Sequence, residues 1–243
     1  EIILNEEQRR IAEDFCSRYD RGERTPSLIY GITGSGKTEV YMEMIAHVLK
    51  QGRQVIVLIP EISLTYQTVM RFYRRFGSCI SVMHSRLSAG ERWDQYERAR
   101  QGETQVMIGA RSALFTDFPD LGLIIMDEEH EGAYKSESTP RYHAREVAEK
   151  LAQMRNAAFV MGSATPSLEA YTRAEAGIYR LYTLKSRAGE GSALASAEVV
   201  DLRKEMEEGN KSIFSRRLQE LIRDRLEKKE QVMLFMNRRG YSS

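Results

Sequence analysis

The chain has 243 residues, 42% hydrophobic and 29% charged, so it is ordinary globular material, enough for one large domain or one domain plus part of another. No apolar run is long enough to span a membrane, no signal peptide opens the chain, and Cys16 and Cys79 lack metal-ligand spacing, which argues against a structural zinc here and for a reducing, cytoplasmic setting. The net charge of +1 does not announce a nucleic-acid partner, so any such partner would need a local basic surface.

In chain order, short apolar runs alternate with amphipathic stretches. Strands are expected at Leu28–Tyr30, Gln54–Ile59, Ile80–Met83, Val106–Ile108, Leu123–Met126 and Ala157–Met161. Helices are expected at Thr38–Lys50, Leu64–Phe76, Ala89–Arg100 and Ala144–Arg155. Val55 to Ile59 and Leu123 to Met126 are apolar at consecutive positions, the mark of strands buried on both faces. The fold class is therefore α/β, a mostly parallel sheet with helices on both faces and ligands along the C-terminal strand edge. The single tryptophan, Trp93, falls on a helix and reads as a packing residue.

Between the first strand and the first of these helices lies Gly31-Ile32-Thr33-Gly34-Ser35-Gly36-Lys37-Thr38, an uninterrupted G-x-x-x-x-G-K-[ST] phosphate-binding loop. Its glycines let backbone N–H groups curl around phosphate oxygens without a Cβ clash. Lys37 supplies a point charge to the β- and γ-phosphates, and the Thr38 hydroxyl can ligate Mg²⁺. The strand at 123–126 ends in Asp127-Glu128-Glu129-His130. Opposite a phosphate loop, Asp127 can hold Mg²⁺ and Glu128 can polarise the attacking water, with His130 reporting on the γ-phosphate. Phe159 to Met161 leads into Gly162-Ser163-Ala164-Thr165, whose Ser163 and Thr165 hydroxyls can bond His130 or Glu128, or cap a helix.

Composition changes near Lys185. Residues 1–185 read as a first lobe and 186–197 as a linker or loop, with 198–243 as the beginning of a second α/β lobe. In that second lobe, strands are expected at Val199–Leu202 and Val232–Met236, a loop at Glu205–Lys211 and a helix marked by Leu218, Leu221, Ile222 and Leu226. Glu1 is not an initiator Met and Ser243 follows an uncovered strand, so the chain is expected to be a piece of a larger protein.

With these motifs in this order, the chain resembles the superfamily-two helicases of the DExH type, which have two RecA-like lobes with ATP in the cleft. The Pro60–Leu64, His84–Ser88, Gly109–Phe115, Tyr134-Lys135, Pro140–Arg145, Gly162–Leu168 and Asn237–Tyr241 segments narrow the resemblance to the PriA family of bacterial replication-restart DNA helicases. The resemblance implies an ATP- and Mg²⁺-dependent 3′-to-5′ motor on single-stranded and forked DNA. It implies single-strand DNA-binding protein and primosome proteins as partners, a nucleoid-associated location, and zinc bound only downstream of this chain. Residue by residue, it implies that Gln8 reads the adenine edge, although a surface helix residue is an equal reading. Glu61, Arg111 and Ser112 would touch the DNA backbone, with a structural salt bridge as the other reading of Arg111. The segment 131–145, with Tyr134, Lys135, Arg141, Tyr142, His143 and Arg145, would be an aromatic-rich DNA loop, or else a polar loop with one core tyrosine. The second lobe's arginine finger would lie elsewhere, so the chain alone is expected to turn ATP over slowly or not at all. A phosphate-loop motor acting on a polypeptide is the alternative function.

Overall fold

Among the described residues seven strands form one all-parallel sheet: β1 (Ser27–Gly31), β2 (Gln54–Leu58), β3 (Ile80–Met83), β4 (Val106–Gly109), β5 (Leu121–Asp127), β6 (Ala158–Ser163) and β7 (Arg180–Leu184). Their order is β3-β4-β2-β5-β6-β1-β7. The structure is a computed structural model that describes residues 3–186 and 196–235. Most of the expected linker and the whole Asn237–Tyr241 motif lie outside the described residues. The chain divides into two compact units, Glu1–Ser192 and Ala193–Ser243.

The helices of the first unit are α1 (Glu6–Asp20), α2 (Lys37–Lys50), α3 (Tyr66–Phe76), α4 (Ala89–Arg100), α5 (Ala144–Met154) and α6 (Leu168–Glu175). Side chains alternate across each strand, so neighbouring residues enter different cores. Ile29, Val55, Val57, Leu123 and Ile125 pack with Ile11 and Phe15 of α1, Val40 and Ile45 of α2 and Phe72 of α3. Leu28, Ile56, Leu58, Ile124 and Met126 pack with Ala99 of α4, Ala144, Ala148 and Ala152 of α5 and Ala170 and Ala174 of α6. Six consecutive buried residues in β5 are the consequence of cover on both faces.

The expected strands and helices of this unit are present, with ends displaced by one or two residues. Three further elements are α1, α6 and β7. Helix α1 opens on a capping box in which Asn5 and Gln8 exchange side-chain and backbone hydrogen bonds. Trp93 is corrected: at 67% exposed it lies on the solvent face of α4 and packs little.

The second unit contains α7 (Leu202–Glu207) and α8 (Arg216–Glu227). Ser215 accepts from the backbone N–H of Leu218 and caps α8, and the Glu205 carboxylate takes the Asn210 amide and the Arg216 N–H. The α8 helix agrees with the sequence reading. The strand expected at 199–202 is instead an irregular segment leading into α7, which also occupies part of the expected loop at 205–211. Residues 232–235 carry no strand; Met233 and Phe235 are exposed, and a buried strand needs neighbours to pair with. Residue 236 lies outside the described residues.

Candidate functional site

The strand order places the ends of β1, β6 and β5 side by side, with Tyr30 opposite Ser163 and Asp127 opposite Gly162. Neighbouring strands are about 4.8 Å apart, so side chains from β1 and β5 reach one another across the tip of β6. The phosphate loop leaves β1 and enters α2. Gly34 and Gly36 hold left-handed φ values of +79° and +80°. A Cβ on Gly31 would lie 2.6 Å from Ser35 Oγ, so the loop closes tightly on its own base. Gly36 gives α2 no side-chain cap, which leaves its first N–H groups for an anion. Among the described residues the buried Ser35 Oγ has no partner, a polar atom that a phosphate oxygen would satisfy. Lys37 is buried and donates to the Gly31 carbonyl at 2.9 Å. Thr33 and Gly34 are exposed at the loop tip, and Thr38 is half-buried one residue past Lys37.

Gln8 is a buried residue, 2% exposed, not a surface one. Its amide oxygen accepts from Asn5 N at 2.9 Å, and its amide nitrogen donates to Ser35 O at 3.0 Å. The same nitrogen lies 3.4 Å from Gly36 O. Gln8 thus braces the phosphate loop from beneath.

Across the cleft, Glu128 Oε1 stands 3.9 Å from Lys37 Nζ. Glu128 has a left-handed φ of +46°, a backbone conformation that costs a non-glycine residue about 1–3 kcal/mol. The kink sends Asp127 and Glu128 toward the loop and Glu129 into the interior. Asp127 is held twice: Tyr41 OH donates to Oδ1 at 3.0 Å, and Tyr134 OH donates to its carbonyl at 2.7 Å. Burial and the Glu128 charge push the Asp127 carboxyl up to about 6, against the Tyr41 hydrogen bond and Lys37. Burial, then the Asp127 charge, pushes both phenols well up, so they remain protonated donors. Among the described residues no cluster of three or more His, Cys, Asp or Glu side chains could hold a metal by itself. Thr38 and Asp127 suit an Mg²⁺ shared with phosphate oxygens, since hard oxygen donors from one or two side chains are what that ion takes from a protein.

His130 Nδ1 pairs with Ser163 Oγ at 2.6 Å, and Ser163 Oγ accepts from Thr165 N at 2.9 Å. The Thr165 hydroxyl lies 3.4 Å from His130 Nε2. His130 Nδ1 is also 3.6 Å from Glu128 Oε2, so the serine and the Glu128 carboxylate share one imidazole. Behind them, Glu129 is 1% exposed and accepts from Ser167 N at 2.6 Å and Ser167 Oγ at 2.9 Å. Arg145 Nη1 completes this cluster at 3.3 Å from Glu129 and 2.8 Å from Ser167. The sequence assigns no individual role to Tyr41, Gly162, Glu129 or Ser167; Glu129 carried a signal as the third acid of its motif, and Gly162 and Ser167 as members of the Gly162–Leu168 segment.

The loop after β5 is arranged differently from a row of stacking aromatics. Tyr134, on a 3₁₀ turn at Gly132–Tyr134, is 1% exposed and ties the loop to Asp127. Arg145 is buried in the Glu129 cluster, and His143 caps α5 by accepting from Arg145 N at 3.2 Å. Burial, then the Arg145 charge, pulls the His143 imidazole down, keeping that acceptor neutral. Tyr134 and Arg145 are buried and offer no free face to DNA as they stand, and the half-buried His143 spends its Nδ1 on the helix cap. Lys135 and Arg141 are exposed and Tyr142 is half-buried. Arg111 Nη1 donates to Lys135 O at 2.6 Å and Ala133 O at 3.2 Å, with its guanidinium 5.4 Å from the Tyr142 ring centre. The salt-bridge reading of Arg111 gives way to a carbonyl clamp, with Nε and Nη2 free of partners among the described residues. Glu61 is exposed, and the Ser85 hydroxyl, with its N–H at 3.1 Å, holds the carboxyl below its usual range. Ser112 is exposed beside Arg111, and its carbonyl accepts from Tyr96 OH at 3.3 Å.

A phosphate loop facing an acidic strand end, with a serine–threonine strand end between them, defines a helicase-type ATPase lobe. The DEAD/DEAH box helicase family model matches residues 7–174, and the chain belongs to that family. Within the family it is similar to the replication restart protein PriA. It is 48% identical to that of Bacillus subtilis (strain 168) over all of this chain and 30% of the relative. It is also 48% identical to that of Haemophilus influenzae over 88% of this chain and 29% of the relative. The chain thus spans about 30% of the length of these curated relatives. RecG bound to a three-way DNA junction matches with a TM-score of 0.59 at 21% identity, over 79% of this chain and 25% of that one. The Pyrococcus furiosus Hef helicase domain matches with a TM-score of 0.51 at 21% identity, over 74% of this chain and 38% of that one. At these identities the likeness establishes the fold, an α/β RecA-like lobe. Helicases of this family use ATP and Mg²⁺. Among the described residues no helix is long and apolar enough to cross a membrane.

Proposed function

We propose that this chain is the ATP-binding lobe, with the beginning of the second lobe at 198–243, of a 3′-to-5′ DNA helicase that restarts replication at stalled forks. The observation that carries the reading is the convergence of Lys37, Asp127 and Glu128 on one cleft beside an uncapped helix N-terminus. Lys37 moves from the Gly31 carbonyl to the phosphates, and the α2 N–H groups and Ser35 hydroxyl receive phosphate oxygens. Thr38 and Asp127 would hold the Mg²⁺, which when bound would supply charge neutralisation at the phosphates. Glu128 orients the attacking water and draws its proton. His130 carries the state of that carboxylate to Ser163 and Thr165.

DNA is the proposed track. Lys135 and Arg141 are open to its phosphates, as are the free donors of Arg111, and the half-buried Tyr142 ring is a stacking surface beside them. Glu61 and Ser112, on neighbouring exposed turns, are the other proposed backbone contacts. Tyr134 links that loop to Asp127 from within. Forked DNA, single-strand DNA-binding protein and primosome proteins are the proposed partners, in the cytoplasm at the nucleoid, and zinc is proposed for other parts of the parent protein. Phosphate release by the full-length parent, with and without single-stranded DNA, tests the reading together with unwinding of forks bearing 3′ or 5′ tails. DNA-stimulated turnover and 3′-tail preference are expected. Turnover indifferent to DNA would return the case to a motor with another cargo.

A further inference from the structure

Tyr41 reads from sequence as one more apolar residue on α2, yet its hydroxyl has a specific partner. The ring is buried in the apolar core of the first unit, where Phe would fill the same space. The hydroxyl donates to Asp127 Oδ1 at 3.0 Å, the one side-chain hydrogen bond to that carboxylate among the described residues. The backbone is shaped to admit that phenol: a Cβ on Gly162 would lie 1.6 Å from the Tyr41 oxygen. Tyr41 also sits one helical turn after Lys37, so the helix that starts in the phosphate loop also grips the acid of the opposite strand.

We propose that Tyr41 is a positioning residue that orients the Asp127 carboxylate for Mg²⁺. The inference rests on the reading of Asp127 as the Mg²⁺-holding acid. The terminal torsion of an aspartate is broad and soft, so one hydrogen bond to Oδ1 sets the plane of the group and the direction of Oδ2. Groups behind a metal ligand commonly contribute 10–100-fold to metal affinity. Tyr41 and Thr38 lie on one helix, so the Tyr41 hydrogen bond ties Asp127 to the element that carries the Thr38 hydroxyl.

The test is the affinity of the full-length parent for a fluorescent ADP, titrated with Mg²⁺ and repeated in EDTA. For Tyr41→Phe the half-saturating Mg²⁺ concentration should rise by about tenfold or more. ADP affinity in EDTA should stay within about twofold, a readout that general loosening of the core would move. Gly162→Ala keeps the phenol but displaces its hydroxyl, and should raise the Mg²⁺ requirement in the same way. Asp127→Asn should raise it further, and adding Tyr41→Phe to Asp127→Asn should have no further effect. An unchanged Mg²⁺ requirement in Tyr41→Phe beside a raised one in Asp127→Asn overturns the role of Tyr41 alone. An unchanged requirement in Asp127→Asn overturns the site reading, and this inference falls with it.

Discussion

The ammonium of Lys37 and the carboxylate of Glu128 face each other at 3.9 Å, one from the phosphate loop and the other from the kinked end of β5. Neither is spent on another ion pair among the described residues, apart from the imidazole of His130 beside Glu128. In the full-length parent, Glu128→Gln should lower DNA-stimulated ATP turnover by roughly 10²–10⁴, the usual contribution of a general base. Nucleotide binding should survive in that variant and be lost in Lys37→Ala. Steady-state phosphate release and nucleotide titration separate the two effects.

His130 and Ser163 join the ends of β5 and β6. Removing that hydrogen bond by Ser163→Ala should cost about 1 kcal/mol, which is roughly fivefold in an equilibrium between coupled states. The ratio of DNA-stimulated to basal turnover should fall by that factor while basal turnover stays near wild type. Equal loss in both would place Ser163 in the chemistry itself.

Glu129 and Arg145 form a buried pair, their side chains 0% and 9% exposed. Glu129→Ala leaves the guanidinium buried without its carboxylate, a change that costs about 3–5 kcal/mol in buried pairs. The urea midpoint should drop accordingly with an unchanged slope. Removing both charges with Glu129→Leu and Arg145→Met should recover part of the loss.

The Asp127 carboxyl is raised from its ordinary 3.8 to about 6, chiefly by burial. Between those values the folded chain holds a proton that the unfolded chain has released, so stability falls as pH rises from about 4 to about 6. At 1.36 kcal/mol per pH unit the full change is about 3 kcal/mol. In metal-free buffer, Asp127→Asn should therefore stabilise the protein at pH 7.5 and hardly alter it near pH 4. Urea unfolding at both pH values measures the difference.

Arg111 clamps two carbonyls of the loop after β5 and keeps further donors free. Arg111→Ala should weaken single-stranded DNA binding by the parent and reduce the slope of log affinity against log salt by about one. Weaker binding with the slope unchanged would make Arg111 a loop brace only.

Much of this site was readable along the chain because its chemistry lies in consecutive residues. Gly31 to Thr38 act mainly through backbone N–H groups, and Asp127 and Glu128 follow directly on an apolar strand. The elements missed have weak local signals. Helix α6 buries small alanines, Ala170 and Ala174, which barely register as an apolar stripe. Helix α1 is strongly polar, with Ile11, Ala12, Phe15 and Tyr19 as its buried apolar residues, a thin stripe to read along the chain. Strand β7 is a short edge strand whose partner, β1, lies far back in the chain. In the second unit, apolar residues at 199–202 and 232–235 matched a strand pattern without forming one, since a strand exists only through pairing.

The amino-acid order alone determined the phosphate loop, the acidic strand end and the parallel α/β class. Each depends on residue type at short spacing, where local sterics and periodicity act. Tertiary structure alone decided which tyrosine is a surface and which a strut: Tyr142 stays partly open, while Tyr134 and Tyr41 turn inward to grip Asp127. It also turned Gln8, Glu129 and Arg145 into buried braces. The physical reason is that a buried polar group must find its partner across the fold, and strand order, not sequence spacing, sets which partner is within reach.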